Sequence, residues 1–193
     1  MGDVTDDYGR RIGMALKAVR QLHADASRLL LDCDGTIGKG LQVCPKGNVV
    51  TGDMSTVVGG TWMAEGAYRY YAAPTDNDPG RVDGVCLCFI GEAVAANEPV
   101  LIVGQIDYRL PEGQDVQKVC SAWDLWFLFT DNCQDRTYGQ VLSSGPITWK
   151  KESKTFEGFR LIAVPLYSIT SMGEVVTLME KVRTAPMPGR DPV

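Results

Sequence analysis

Apolar residues recur at steps of three and four along one stretch near the start of the chain. From Tyr8 they fall at Ile12, Ala15, Leu16, Val19, Leu22, Ala26, Leu29, Leu30 and Cys33. A period of 3.6 residues places these positions on one face of a helix. No proline interrupts the stretch, and after Gly13 no glycine falls before Gly35. Gly35 suits the left-handed residue that ends a helix. Thr5 can cap the start, and Asp6 and Asp7 favour the positive end of the helix dipole.

The remaining chain changes period repeatedly. Seven glycines between Gly35 and Gly60 indicate turns and short strands. The segment Thr61 to Ala73 is rich in aromatics and reads as extended. Val82 to Ile90 and Val100 to Tyr108 read as two strands. The first is apolar on both faces, as a central strand should be. The second turns polar at Gln105 and Asp107, as expected if one face meets water. Asp115 opens a second helix with Val116, Val119, Cys120, Trp123 and Phe127 on one stripe and Trp126 beside it. Ile147 to Lys151 and Phe159 to Val164 are further strand candidates. Ser171-Met172-Gly173-Glu174 is a capping box. It opens a C-terminal helix with Met172, Val175, Val176, Met179 and Val182 on its apolar face. Strands that neighbour one another without regular crossover helices predict an α+β fold. The expected architecture is a mainly antiparallel sheet flanked by a long N-terminal, a central and a C-terminal helix. Residues 1–184 are expected to form one domain. The tail 185–193, with Pro186, Pro188 and Pro192, is expected to fray.

Composition narrows the function classes. The 193 residues carry a formal net charge of −5, with Lys and Arg scattered along the chain rather than clustered. That argues against a phosphate-backbone ligand, so nucleic acid is not an expected partner. No apolar run approaches the roughly 20 residues needed to span a bilayer, so no membrane is expected. Met1 to Asp7 lacks the basic start and apolar centre of a secretion signal. The six cysteines have no Cys-x-x-Cys pair and the single histidine is His23, so zinc-ligand spacing is absent. Unpatterned thiols suit a reducing compartment, and the expected location is cytoplasmic.

One motif points to chemistry. Leu29-Leu30-Leu31-Asp32-Cys33-Asp34-Gly35-Thr36 resembles the nucleophile loop of haloacid dehalogenase-type phosphohydrolases. The resemblance implies that Asp32 attacks a phosphoryl group, that Asp34 serves as acid and base, and that Mg²⁺ is the cofactor. A second segment, Leu125 to Phe129 followed by Thr130-Asp131-Asn132-Cys133-Gln134-Asp135, resembles that family's late acidic motif. It implies Asp32, Asp131 and Asp135 as the metal ligands, with Lys118 as the phosphate-binding lysine. Three features depart from the family. Val100 to Val103 ends in Gly104-Gln105 rather than Ser or Thr. Only three apolar residues precede Asp32, and Trp123 to Phe129 continues the helical stripe begun at Val116. The competing reading makes Asp32 and Asp34 the last turn of the first helix.

A second candidate site is the aromatic segment. In a strand Trp62, Tyr68 and Tyr70 share one face, with Arg69 and Tyr71 on the other. One face would meet the core. Trp62, Arg69 and Tyr71 are the candidate binding surface, because Tyr, Trp and Arg are favoured at protein contacts. The function expected first is a non-catalytic interaction module, acting through a protein partner or self-association and needing no cofactor. The alternative is the Mg²⁺-dependent phosphohydrolase.

Overall fold

A computed structural model describes residues 3–44, 50–51, 66–73, 80–89, 98–121, 123–132, 138–150 and 153–186. The first helix, α1 (Asp3–Gly35), contains all of the predicted helical stretch. Three strands follow: β1 (Gln42–Cys44), β2 (Val50–Thr51) and β3 (Gly66–Ala72). Then come β4 (Arg81–Cys88), β5 (Val100–Tyr108), α2 (Val116–Val119) and α3 (Asp124–Asn132). The chain continues through β6 (Leu142–Ser144), β7 (Ile147–Trp149), β8 (Lys154–Pro165) and α4 (Met172–Thr184).

The strands form one eight-stranded sheet in the order β1-β3-β4-β5-β8-β6, with β2 also on β3 and β7 also on β8. Every pairing is antiparallel. The α+β class expected from the sequence is therefore the class observed.

Both faces of the sheet are covered, which is why β4 and β5 are buried along almost their whole length. On one face Ala26, Leu30 and Cys33 of α1 and Val175, Met179 and Val182 of α4 pack on Ala67, Val85, Leu87, Leu101, Val103 and Ile162. On the other, Val116 and Cys120 from the α2 region and Leu125, Leu128 and Phe129 of α3 pack on Tyr70, Cys86, Ile102 and Phe159. Gly84 and Gly104 stand opposite each other in the register of β4 and β5. A Cβ at Gly84 would fall inside Tyr70 and Leu125, and one at Gly104 inside Leu125. Bare backbone at these two positions lets α3 lie close on the sheet.

Several expectations need correction. Gln105 and Asp107 are buried, not wet. The helix predicted from Asp115 is two helices, broken between Cys120 and Trp123. Its stripe persists across the break because Cys120 and Leu125 both enter the same core. The strand predicted from Phe159 begins five residues earlier, at Lys154. Gly35 is not left-handed; Gly40 is the first of the described glycines with positive φ. The end of α1 is closed instead by Thr36, whose hydroxyl donates to the Asp32 carbonyl at 2.9 Å, and by Gly38 N–H on the Cys33 carbonyl. Thr5 lies inside α1 and not ahead of it. The capping box of α4 forms as expected, with the Glu174 carboxylate accepting the Ser171 N–H at 3.0 Å.

Candidate functional site

The aspartates of the Asp-x-Asp-Gly-Thr motif occupy the last turn of a helix. Residues 27–33 are α-helical, whereas a nucleophile loop has a strand at that place. Asp34 accepts two bonds from Arg69, Nε at 2.8 Å and Nη2 at 2.6 Å, and a third from the Tyr71 hydroxyl at 2.8 Å. These bonds, Arg69 foremost, lower the Asp34 pKa below its ordinary value. Asp32 is exposed and lines a cleft of about 190 Å³ between α1 and the start of α4.

The other residues implied by the phosphohydrolase resemblance lie elsewhere. Lys118 on α2 and Asp131 on α3 belong to helices on the opposite face of the sheet from α1. The two acids Asp32 and Asp131 therefore have the sheet between them and hold no common ion. Asp135 lies outside the described residues, among which no three His, Cys, Asp or Glu side chains gather as a metal site. Cys33, between the two aspartates, is buried, and that burial with the adjoining carboxylates pushes its thiol pKa up to about 12.

The aromatic segment also turns inward. Tyr68 and Tyr70 face α3, while Arg69 and Tyr71 face α1, in the alternation expected of a strand. Tyr71 is only 1 % exposed. Arg69 spends its guanidinium on Asp34. The proposed binding surface Arg69 and Tyr71 is thus an internal clamp that fixes the end of α1 to β3. Trp62 lies outside the described residues.

Two polar groupings escaped the sequence reading. On the α1 and α4 face, Asp83 receives Gln105 Nε2 at 2.7 Å and Arg183 Nη2 at 2.6 Å. Arg160 reaches Gln105 Oε1 and the Ala185 carbonyl. This network ties the end of α4 to three strands. Beside it, Arg81 grips Asp107 with two bonds, at 2.7 and 3.0 Å. On the α3 face, buried Asp124 takes the Lys154 ammonium at 2.8 Å, the Ser121 N–H at 2.8 Å and the Tyr108 hydroxyl. Burial raises the Asp124 pKa, with Lys154 as the leading opposing influence. For the first grouping the signal was a polar residue inside an apolar strand, and such a residue does not name its partner; Asp124 and Lys154 gave no such signal.

The apolar surface left open lies on α1. With 33 residues the helix is about 50 Å long. Between Asp7 and Asp25 none of its side chains is buried. Tyr8 is 69 % exposed, Ile12 45 %, Met14 63 % and Leu16 65 %. His23, stacked on Phe89 at 5.4 Å, marks where the helix meets the sheet domain. The stripe that buries Ala26, Leu30 and Cys33 continues towards the N-terminus with none of this chain's described residues burying it.

Compared with known protein families, with curated proteins and with solved structures, the chain matches none.

Proposed function

We propose that the chain is a non-catalytic contact module that self-associates, the exposed half of α1 pairing antiparallel with α1 of a second copy. The observation that carries this reading is the uncovered apolar stripe. In proteins most of a helix's stability comes from tertiary packing of its apolar face. Each large apolar side chain kept in water forgoes roughly 1.5–3 kcal/mol of burial.

The spacing favours another helix as the cover. Tyr8, Ala15 and Leu22 alternate with Ile12, Val19 and Ala26 at steps of four and three, the repeat of a two-helix seam. Charge chooses the direction. In an antiparallel pair centred near Lys17, Ile12 lies opposite Leu22 of the other copy and Ala15 opposite Val19. Arg11 then flanks Asp25 of the other copy on both sides of the twofold axis, and Leu16 meets Leu16. A parallel pair would set Arg11 against Leu16 and Asp25 against Leu30. The antiparallel arrangement is closed and twofold, as most homo-oligomers are.

Sedimentation or light scattering on the purified chain tests the reading. The expected mass is twice the 21.0 kDa of one chain. Ile12→Asp combined with Leu16→Asp should return it to a monomer that still unfolds cooperatively, because both residues are exposed. A wild-type chain that stays monomeric at about 100 µM, where even weak helical dimers are populated, contradicts the proposal.

A further inference from the structure

A second open site lies on the other face of the sheet and is independent of α1. A cavity of about 550 Å³ opens between the end of β5, the α2 segment and the start of β8. That volume falls within the usual range of small-molecule sites. Among the described residues its lining holds three cations, Arg109, Lys118 and Lys154, and no carboxylate. Two of the three are ion-paired, Lys154 with Asp124 and Arg109 with Glu157, which leaves Lys118 as the cation in excess.

The three cations are held differently. Lys154 is buried at the cavity, anchored on Asp124 behind it. That anchor is itself fixed by Tyr108 and by the Ser121 N–H. Arg109 is exposed and braced by Glu157 through two bonds. Lys118 is exposed, lines the cavity and forms no ion pair among the described residues. Ser121, Ser153 and Thr155 also line the cavity. Ser153 is the one non-glycine residue with positive φ among those described, at 51°. Backbone held in that region is uncommon outside glycine and recurs at functional sites. Leu110 and Val119 supply an apolar side.

We infer that this cavity binds a small organic oxyanion, its charged group at Lys118 and Lys154 and its apolar body against Leu110 and Val119. A carboxylate and a phosphate monoester share that chemistry, and two probes separate them.

The test is a titration of the full chain with benzoate and with phenyl phosphate, followed by amide chemical shifts, with benzyl alcohol as the uncharged control. Saturable shifts at Ser121, Ser153 and Thr155 with one or both anions, and none with the alcohol, are expected. Lys118→Gln should weaken the binding about tenfold or more, the loss of one charge-assisted hydrogen bond. Its thermal midpoint should not move, since Lys118 is exposed. Arg109→Gln gives a second variant outside the core. Absence of saturable shifts with both anions overturns the inference. So does binding unchanged in both variants, or equal binding of the alcohol.

Discussion

Leu30 and Leu31 are neighbours in α1 with opposite surroundings. Leu30 is buried against the sheet and Leu31 is 61 % exposed. Leu30→Asp puts a charge into the apolar layer and should cost about 3 kcal/mol or more of stability. Leu31→Asp should stay within about 0.5 kcal/mol of wild type. Urea denaturation of the two variants checks the pair, and equal losses would contradict the placement of α1. Asp34 gives a prediction in pH. Its carboxyl has a lowered folded-state pKa, set first by Arg69, against an ordinary value of 3.8. The folded state therefore binds fewer protons than the unfolded state between those two values. The stabilisation is complete above pH 3.8 and is lost as the pH falls from there through the lowered value. Asp34→Asn should flatten that part of the acid-unfolding profile and leave its neutral part parallel to wild type. An unchanged acid limb would remove the clamp from the account.

At the scale of elements, the close seat of α3 on β4 and β5 rests on two missing side chains. Gly104→Ala pushes a methyl into Leu125 and should cost about 1–3 kcal/mol, as overpacking of a filled core does. A neutral result by thermal melting would mean that α3 can lift off the sheet freely.

The same elements show what was legible beforehand. α1 and α4 follow from helical periodicity, β3 from its aromatic residues, and β4 and β5 from their apolar runs. The break between α2 and α3 does not. It depends on Asp124, which turns back to the Ser121 N–H and is held by Tyr108 and Lys154, sixteen and thirty residues away. Gln105 and Asp107 misled for the same reason. Polar residues in a strand suggest water, but their partners Asp83, Arg160 and Arg81 come from neighbouring strands. The motif at Asp32 and Asp34 was legible in both its readings, and only the backbone conformation of residues 27–33 separates them.

Across the whole molecule, helices cover both faces of the sheet, and α1 continues beyond the part that does so. Among the described residues no helix is long and apolar enough to cross a membrane. The stripe itself was visible in the sequence from Tyr8 onwards. Its exposure was not, because a period reports that a face is apolar and not what lies against it. The seam proposed on α1 and the cavity proposed to bind an oxyanion share no residue, so substitutions at one should leave the other intact.

The pairing of α1 is tested most directly by mixing two single-cysteine variants, Ile12→Cys and Leu22→Cys, under mild oxidation beside the unsubstituted chain. The described native cysteines are buried and supply little background. The antiparallel seam predicts a disulfide-linked dimer that forms chiefly between unlike variants, joining position 12 of one copy to position 22 of the other. Like-with-like linkage alone, or no linkage beyond that of the unsubstituted chain, would contradict it.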